Sequence, residues 1–558
     1  MARHLKTLLC FVLVVVMLVG CAPTSPSNTD PIETAPLTLE ERLAEYAKLS
    51  TGPDDNYRTW YEIFVYSFCD SNGDGIGDLK GVTSKLDYLQ ELGINGIWLM
   101  PIHPSTSYHK YNVDDYYAID PSYGTMADFD ELIAECDKRG IKVILDLVIN
   151  HSGNKNEWFT TACDYLRSLE LGDFANSEDC PYVDYYNFVL TSDVSGGGYN
   201  KVSNSMYSYE CQFSSDMPDL NLSNENLRND IAAIMKFWMD KGVGGFRVDA
   251  AKEFYTGNIS KNVEVLSWLQ KTATSIDPDA YMVAEVWDDY STIVRYYESG
   301  FTSIFDYAFG NYSGKLVKVV NSRGLPSVVK TWATALETAD KAYSGSYADY
   351  IDAPFLSNHD VGRIYDFVNG DELRVKMAGA MNIFMSGSVF IYYGEEIGMA
   401  GTIMEGNEND PSKRAPMYWN AERNNGTTQL PPSCSLPSAG YPLGSVEEQQ
   451  KDETSVYSYY REAIAIRKAF PVISHGDTTA ETALNNGCVS AMRKTWGEES
   501  CIILMNIDDD DAGAQVDLSA YADWKLAATL SANGKPVEMD GTTLNLPAYG
   551  IAVLIPSK

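Results

Sequence analysis

The sequence predicts an α/β protein built on a (β/α)8 TIM barrel, with a domain inserted after the third barrel strand and an all-β sandwich domain at the C-terminus. Three observations support this prediction. From Tyr61 onward, eight short apolar runs alternate with segments of helical periodicity, as in a parallel barrel. About seventy residues, 152–221, rich in Gly, Ser, Asn and Tyr, separate the third strand from the next helix. After Phe470-Pro471 the pattern changes to short alternating strands.

The composition indicates a large protein with a neutral ligand. Its 558 residues are 45% hydrophobic, which is enough to bury a large core. Acidic residues outnumber basic residues, 77 to 42, and the formal net charge is −35. This charge argues against nucleic acid and anionic lipid surfaces as partners, and it favours a neutral ligand or cations.

The first 21 residues are predicted to be a lipoprotein signal peptide. A basic start precedes the apolar run Leu8–Leu18, which is shorter than the about 20 residues that a spanning helix needs. Leu18-Val-Gly-Cys21 resembles the bacterial lipobox, which implies cleavage before Cys21 and lipidation of that cysteine; an ordinary secretory signal is the alternative. We therefore expect an exported protein, lipid-anchored through Cys21 at the bacterial cell membrane or cell surface. Residues 22–37, rich in Pro, Ser and Thr, are predicted to be a flexible linker.

The barrel is predicted to comprise residues 38–151 and 222–471, and the C-terminal domain residues 472–558. A capping box at Thr38-Leu-Glu-Glu41 predicts a first helix that ends near Leu49. The predicted barrel strands are Tyr61–Phe68, Gly96–Met100, Val143–Ile149, Gly245–Asp249, Tyr281–Val286, Ser303–Tyr307, Phe355–Ser357 and Val389–Tyr393. The predicted helices include Gly81–Leu92, Met126–Arg139, Asn226–Lys241, Ser260–Ser275, Glu372–Met385 and Thr454–Ala469.

Eight of the 10 cysteines lie beyond Cys21, and no spacing among them suggests a zinc site. Export would allow disulfides to form. Cys163 and Cys180 are the pair that we expect first, because both lie in the insertion. Other pairings remain open.

Charged side chains stand at the C-terminal ends of the predicted strands, where a barrel of this kind builds its active site. Arg247 and Asp249 are two positions apart on one strand and so project from the same face. A guanidinium beside a carboxylate favours the ionised carboxylate. Asp249, Glu285 and Asp360 follow three different strands, and we expect them to converge in one mouth. Further candidates at these ends are Asp146, Asn150, His151 and His359, with His109 and Tyr111 beyond the second strand.

Four ordered motifs carry a resemblance to a known family. Asp146-Leu-Val-Ile-Asn-His151, Gly245-Phe-Arg-Val-Asp-Ala-Ala-Lys252, Val283-Ala-Glu-Val-Trp287 and Phe355-Leu-Ser-Asn-His-Asp360 resemble the four signature regions of the α-amylase superfamily, glycoside hydrolase family 13. Met217-Pro-Asp-Leu-Asn221 resembles its fifth region, in the form intermediate between oligo-1,6-glucosidases and neopullulanases. The likeness runs from about Tyr57 to the C-terminus and implies an inserted domain B and a β-sandwich domain C.

The resemblance implies that Asp249 is the nucleophile, Glu285 the general acid/base and Asp360 a third carboxylate that stabilises the transition state. A retaining glycosidase needs one ionised carboxylate and one protonated carboxyl group. Apolar sequence neighbours of Glu285 are expected to raise its pKa and keep it protonated. The resemblance also implies that sugar is bound by His109, Tyr111, His151, Arg247 and His359, with Lys252 on the leaving-group side.

The stretch Asp70-Ser-Asn-Gly-Asp-Gly-Ile-Gly-Asp78 places oxygen ligands at alternate positions, with glycines for a sharp turn, as a hard cation requires. It is not an EF-hand, because Gly81 stands at the twelfth position. The same loop binds calcium in oligo-1,6-glucosidase-like members of the family. The resemblance therefore implies a calcium site; the alternative is a polar turn capped by Asp and Asn. The implied ligands are Asp70, Asn72, Asp74, the backbone carbonyl of Ile76, and Asp78.

Residue 250 bears on the bond that is cleaved. Family members that cut α-1,6 bonds tend to carry Val after the nucleophile, so Ala250 favours α-1,4 cleavage in starch and maltooligosaccharides. Gly394–Met399 and Arg414–Trp419 are more similar to oligo-1,6-glucosidases and neopullulanases. We expect a retaining α-1,4-glucan hydrolase of the α-amylase type. A neopullulanase, cyclomaltodextrinase or transglycosylating enzyme is the alternative, and a non-catalytic glucan-binding surface protein is a remote one because all three acids are present.

Overall fold

The computed structural model describes residues 37–50, 52–53, 55–170, 172–401, 410–434 and 440–557. The predicted signal peptide, Cys21 and nearly all of the predicted linker lie outside these residues. From Leu39 onward the chain forms one unit. Within the described ranges, no helix is long and apolar enough to cross a membrane.

A parallel barrel forms the centre of this unit, as predicted. Seven strands make one sheet in which the last strand pairs with the first. The predicted strand Phe355–Ser357 is not regular; parallel bridges from Phe305 to Ala353 and from Phe355 to Phe390 close the ring instead. In chain order, the seven strands are Thr59–Ile63, Gly96–Leu99, Lys142–Leu147, Gly245–Val248, Tyr281–Ala284, Ser303–Ile304 and Val389–Tyr392.

The first strand is shorter than predicted. It ends at Ile63, and Val65–Phe68 form a helical turn. The amide of Ser67 bonds to the carbonyl of Phe64, its hydroxyl donates to the carbonyl of Arg414, and the indole of Trp419 donates to the carbonyl of Phe68. These bonds fold the chain over the end of the barrel. An apolar run is buried in either conformation, so the sequence could not distinguish them.

The helices surround the barrel. The predicted helix Gly81–Leu92 is divided at Lys85 into Leu79–Ser84 and Leu86–Leu92. The other helices are Leu39–Leu49, Met126–Asp137, Glu225–Met239, Ile259–Ile276, Tyr290–Tyr297, Lys315–Val320, Pro326–Val329, Thr331–Ser346, Ile364–Phe367, Glu372–Ile383, Asp410–Lys413, Val446–Gln449, Val456–Ala469 and Val472–His475. Short 3-10 turns are Pro181–Asp184, Thr191–Asp193, Glu395–Ile397, Thr482–Leu484 and Ser519–Tyr521.

The insertion after the third strand contains the helix Glu157–Ser168 and an antiparallel sheet of Phe188–Leu190, Tyr199–Lys201 and Tyr207–Glu210. A bridge between His151 and Asp219 holds its two ends together. The expected disulfide is wrong: the eight cysteines beyond Cys21 are free thiols. Cys163 and Cys180 are both buried, where a thiol packs as a small apolar group.

The C-terminal β domain is also present. Its five-stranded antiparallel sheet comprises Asp477–Ala480, Val489–Trp496, Glu499–Asn506, Trp524–Ser531 and Gly550–Pro556, and its three-stranded sheet Ala514–Asp517, Glu538–Asp540 and Thr543–Leu546. One face of the larger sheet, including Met492 and Ile503, joins the core that contains the barrel. The other face, including Ile502 and Leu504, packs in a separate core with the smaller sheet.

Candidate active site

Arg247 is the centre of the pocket at the C-terminal ends of the strands. Its side chain is 2% exposed, and its guanidinium lies 5.0 Å from the ring of Trp98. Nη1 lies 2.7 Å from Asp146 Oδ1 and 2.7 Å from Asp249 Oδ1, and Nη2 lies 2.8 Å from Glu285 Oε2. One buried cation therefore holds acids from the ends of the third, fourth and fifth strands.

Asp360 enters the same pocket from the other side. His359 Nε2 lies 3.0 Å from Asp360 Oδ2, and Arg414 Nη2 lies 3.0 Å from Asp360 Oδ1. His359 Nδ1 bonds to Glu62 Oε1 at 2.5 Å. Tyr111 connects the two sides, since its hydroxyl lies 2.8 Å from His359 Nε2 and donates to Asp146 Oδ2 at 3.0 Å.

The three predicted catalytic acids are accessible from solvent to different degrees. The exposed fraction of the side chain is 10% for Asp249, 12% for Glu285 and 28% for Asp360. Arg247 is more deeply buried than any of the three acids. A ligand that enters the mouth can therefore contact all three acids without displacing the arginine.

Burial raises the pKa of the three acids, and the neighbouring cations lower it. Burial raises the pKa of Asp249 although Arg247 lowers it, and Asp360 raises it further. Burial also raises the pKa of Glu285, against Arg247 and the backbone amide of Ala250 that donates to its Oε2. Asp360 differs: despite burial, His359 and Arg414 hold its pKa well below the usual range. The raised pKa of Glu285 agrees with the prediction, and Asp249 and Asp360 add to the effect of burial.

The three predicted histidines carry different charges. Burial lowers the pKa of His109 to about 3, with Arg414 adding to the effect, and burial lowers the pKa of His151 to about 4. Burial also disfavours a charged His359, but Asp360 and Glu62 raise its pKa to about 9. His109 Nδ1 accepts from the amide of Tyr111, and His151 Nε2 has no hydrogen-bond partner within the described chain. Near neutral pH, two neutral rings and one imidazolium thus border the acids.

Lys252 and Tyr111 occupy different parts of the site. Lys252 is half-exposed at the rim, where Nζ donates to the carbonyl of Trp287 at 3.1 Å and lies 3.0 Å from Asp288. The ring of Tyr111 stacks on His359 with centroids 5.5 Å apart. Trp287 is 43% exposed and stacks on Tyr307 at 5.1 Å, so it presents an aromatic face at the mouth.

Three residues of the site were not predicted. Glu62 orients His359, Arg414 pairs with Asp360, and the hydroxyl of Tyr307 donates to Glu285 Oε1 at 3.4 Å. Glu62 left a signal in the sequence, because it is a charged residue inside an apolar strand. Tyr307 ends a predicted strand and Arg414 begins the segment Arg414–Trp419, but no role was assigned to either residue, because only the fold brings them beside the acids.

The predicted calcium loop is a turn whose oxygens bond to its own backbone. Asp70 accepts the amides of Asn72, Gly73 and Gly75, and Asp78 accepts Ser71 and caps the helix that begins at Leu79. Asn72 and Asp74 are exposed, and each accepts the amide two residues further along. Among the described residues, no three His, Cys, Asp or Glu side chains are gathered as a metal centre. The donors are nevertheless all oxygens, which fits calcium chemically.

Comparison with known proteins relates the chain to a family. The family model of the alpha amylase catalytic domain matches residues 62–476. Alpha-amylase 3 of Dictyoglomus thermophilum is 38% identical over 424 residues, which cover 75% of this chain and 78% of that protein. Glucan 1,6-alpha-glucosidase of Streptococcus pneumoniae is 30% identical over 518 residues, covering 82% of this chain and 92% of that protein. The solved structure of Eubacterium rectale Amy13B matches with a TM-score of 0.86 and 42% identity, over 92% of this chain and 98% of that chain.

Proposed function

Since this chain belongs to the α-amylase family of glycoside hydrolases, we propose that it is a retaining enzyme that cleaves the α-1,4-glucosidic bonds of starch and maltooligosaccharides. The observation that carries the proposal is the attachment of Asp249 and Glu285 to the two ends of one buried guanidinium. Two carboxyl groups that flank the scissile bond are what a retaining glycosidase requires.

In the proposed mechanism, Asp249 attacks the anomeric carbon while Glu285 gives its proton to the leaving oxygen. The glycosyl–enzyme ester is then hydrolysed by water, from which Glu285 takes a proton. Burial raises and Arg247 lowers the pKa of both acids. The mechanism requires Asp249 to begin the cycle as the carboxylate and Glu285 as the protonated acid.

The neighbouring side chains suit the binding of a charged, sugar-like transition state. The pKa of Asp360 is low, so its carboxylate is available to sugar hydroxyls and to the developing positive charge. His109 and His151 are neutral near pH 7. His109 Nδ1 already accepts the amide of Tyr111, so this ring offers its Nε2–H to a hydroxyl group, and His151 Nε2, which has no partner among the described residues, can bond to another.

Glu285→Gln tests the assignment of the acid/base. Glutamine retains the shape but carries no transferable proton, so kcat on maltoheptaose is expected to fall about 10²–10⁴-fold. Glu298→Gln changes an exposed glutamate at the end of a helix and serves as the matched control. Near-wild-type turnover in Glu285→Gln, with the melting temperature unchanged, would reject the assignment.

A product time course on amylose, pullulan and β-cyclodextrin tests the specificity. Maltooligosaccharides released from amylose, with slow attack on the other two, would support an α-amylase. Panose from pullulan, rapid ring opening or longer transfer products would support a neopullulanase, cyclomaltodextrinase or transglycosylase instead. Two observations support this second candidate: a relative is named glucan 1,6-alpha-glucosidase, and the motif Gly394–Met399 is more similar to oligo-1,6-glucosidases and neopullulanases. No product from any substrate would indicate a glucan-binding protein.

We also propose that the loop after the first barrel strand binds calcium through Asp70, Asn72, Asp74, the carbonyl of Ile76, and Asp78. A calcium ion would cross-link this loop and so favour the folded state. Its oxygen-only donor set supports the proposal, as does the exposure of Asn72 and Asp74.

We propose separately that the protein is anchored to a membrane by a lipid on Cys21. Cleavage before Cys21 and acylation of that residue would place the enzyme on the bacterial membrane or cell surface, with residues 22–37 as the tether. Labelling of expressing cells with a fatty acid should mark the wild-type protein and leave Cys21→Ala unlabelled. Equal labelling of both proteins would refute the anchor at Cys21.

A further inference from the structure

Two buried glutamates follow the last barrel strand, and one of them contacts the segment that carries Asp360. Glu395 and Glu396 begin a 3-10 turn, and both side chains lie in the interior of the protein. A buried carboxyl group is costly unless hydrogen bonds satisfy it, so its partners show what it holds in place. Both glutamates belong to the motif Gly394–Met399, to which the proposed mechanism gives no role.

Glu395 uses both of its oxygens to join two distant parts of the chain. Its Oε2 accepts from the hydroxyl of Ser357 at 2.5 Å, and its Oε1 accepts from the hydroxyl of Tyr460 at 3.1 Å. Tyr460 lies on the helix Val456–Ala469, a regular element that packs against the barrel. The carboxyl group of Glu395 therefore ties the segment at Ser357 to a rigid support.

The carboxyl group of Glu395 is mostly protonated near neutral pH. Burial raises its pKa to about 8, although the hydrogen bonds from Ser357 and Tyr460 lower it, and the neighbouring Glu396 raises it further. A protonated carboxyl group has one donor and keeps acceptor capacity, as a glutamine side chain also does. Glutamine is therefore the close mimic of this residue, and alanine removes both of its hydrogen bonds.

The segment tied by Glu395 lacks a regular strand ladder. Single parallel bridges at Ala353 and Phe355 join it to neighbouring strands, and the chain then turns toward Asp360. Ser357 lies in the stretch after these bridges, three residues before Asp360. Because no ladder fixes the register here, side-chain hydrogen bonds such as the one from Ser357 to Glu395 determine where the turn lies.

The same segment is held on its other side by Arg414. Arg414 Nε donates to the carbonyl of His359 at 3.2 Å, and Nη2 lies 3.0 Å from Asp360 Oδ1. Without the bond to Glu395, the segment would lose one of its two supports, and the carboxylate of Asp360 would move relative to the other acids. A misplacement of about 1 Å can cost about 10²-fold in the rate of an enzyme.

We propose that Glu395 is a positioning residue, which fixes His359 and Asp360 in the catalytic mouth through the hydroxyl of Ser357 and is itself fixed by Tyr460. The inference rests on the proposed function, because it gives Glu395 a part in the same reaction. Since Asp360 is assigned to the transition state, loss of Glu395 should affect the chemical step more than the binding of substrate.

Steady-state kinetics on maltoheptaose test this role. Glu395→Ala is expected to lower kcat about tenfold or more and to change KM by less than about threefold. Glu395→Gln keeps an acceptor for Ser357 and a polar group for Tyr460, so it should restore most of kcat. Glu396→Gln is the matched control, because the neighbouring Glu396 bonds to hydroxyl groups of other elements, and it should keep the wild-type kcat.

Three kinetic results would overturn the proposal. The first is a wild-type kcat in folded Glu395→Ala, and the second is an equal loss in Glu395→Ala and Glu395→Gln. The third is an equal loss in Glu395→Ala and the control Glu396→Gln, which would show that any change in this buried pair lowers activity.

A double-mutant cycle tests whether Glu395 acts through Ser357. If it does, Ser357→Ala lowers kcat as Glu395→Ala does, and the combined variant loses no more than about twofold beyond the larger single loss. Losses that multiply would overturn the connection. If Glu395→Ala does not fold, Tyr460→Phe replaces it and is expected to lower kcat, whereas the control Tyr459→Phe removes a buried hydroxyl that has no partner within the described chain and should not.

Proton NMR of His359 separates this proposal from the proposed function. His359 is one of six histidines, and its ring lies between Glu62 Oε1 at 2.5 Å and Asp360 Oδ2 at 3.0 Å, so His359→Gln identifies its ring-proton resonances. Glu395→Ala should shift these resonances, and Glu396→Gln should not. If the wild type hydrolyses no glucan but the shift occurs, the hydrolase is rejected and the positioning of His359 is retained. Normal hydrolysis with unmoved resonances in Glu395→Ala would reject the positioning role and retain the hydrolase.

Discussion

Arg247 donates to three carboxyl groups at once, so Asp146, Asp249 and Glu285 share a single positive charge. Because all of them are largely buried, loss of the guanidinium would leave uncompensated acids in a low-dielectric pocket. Burial and the shared charge act on all three pKa values, and the other neighbours of each acid add to these two effects. For Glu285 these neighbours include the amide of Ala250 and the hydroxyl of Tyr307.

Tyr307→Phe tests whether Tyr307 positions and tunes Glu285. The Tyr307 hydroxyl donates to Glu285 Oε1 and accepts from Asn358 Nδ2. A hydrogen bond to the carboxylate stabilises its charged form, so its removal should raise the pKa of Glu285. The alkaline limb of the pH profile of kcat/KM is expected to move upward by about half a pH unit. This role would be contradicted if the alkaline limb of the pH profile did not move in Tyr307→Phe. It would also be contradicted if the control Tyr312→Phe, outside the pocket, showed the same shift.

The pKa of His359 predicts a pH dependence of stability. Burial opposes its charge, but Asp360 and Glu62 raise the pKa from 6.5 to about 9. A group whose pKa is raised on folding stabilises the protein fully below its unfolded pKa, and this stabilisation is lost as pH rises through the folded pKa. Between pH 6.5 and 9 the wild type should thus lose up to about 3 kcal/mol more unfolding free energy than His359→Gln.

Denaturant unfolding of both proteins at pH 6.5 and pH 9 measures this difference. Asp360, whose pKa is lowered, works in the opposite sense: its contribution is present above pH 3.8 and is lost in acid. The His359–Asp360 pair should therefore contribute most between about pH 4 and 6.5. If the difference in unfolding free energy between the wild type and His359→Gln is the same at both pH values, the prediction is refuted.

The sequence located the acids of the pocket but not the residues that tune them. Asp249, Glu285 and Asp360 were predictable because each follows an apolar strand, and strands of one barrel end at the same mouth. Glu62 and His359 are 297 positions apart, so their contact exists only in the folded chain. The cause of the raised pKa of Glu285 was likewise hidden, because burial depends on elements from the whole barrel.

At the scale of elements, apolar strands are well predicted where strong pairing holds them and poorly where it does not. Gly96–Leu99 and Tyr281–Ala284 lie within one residue or two of the expected bounds. The seventh segment has only single bridges at Ala353 and Phe355, because the chain bends there to present Asn358 to Asp360. Asn358 Oδ1 accepts the amides of Asp360 and Val361 in this turn, so the chain there bonds to itself instead of to neighbouring strands.

The loop that follows the first strand gives a prediction for calcium. If Asp74 binds the ion, Asp74→Ala should lower the melting temperature in calcium and have little effect in chelator, because Asp74 otherwise bonds only to the exposed amide of Ile76. Asp70→Ala should destabilise the protein in both conditions, since three backbone amides lose their acceptor.

Thermal melts with calcium, with chelator and with magnesium distinguish these cases, together with metal analysis of the purified protein. Calcium-dependent stabilisation of the wild type that Asp74→Ala abolishes is the expected result. A melting temperature indifferent to chelator, with no bound metal, would mean that the loop is only a capped polar turn.

At the scale of the whole molecule, the C-terminal domain is part of the barrel's core. The larger sheet alternates along each strand: Met492 and Ile503 face the barrel, whereas Ala491 and Ile502 face the smaller sheet. Lys494 is buried at this junction and donates to Ser386 and Thr478. The alternating strands predicted a β-sandwich domain, but they did not show that the second face of the larger sheet is buried against the barrel, because only the packing of distant segments determines this.

This packing predicts that the barrel does not survive without the C-terminal domain. A chain that ends at residue 476 keeps the segment that matches the family model but exposes the barrel surface covered by Met492, Ile503 and Val553. Its melting temperature is expected to fall by at least about 10 °C, because each kcal/mol lost lowers the melting temperature of a large domain by about 2–4 °C. Removal of residues 1–37 is the control and should leave melting and amylose hydrolysis unchanged. A truncated barrel that melts like the full chain and hydrolyses amylose normally would show that this sheet contributes little to the barrel's stability.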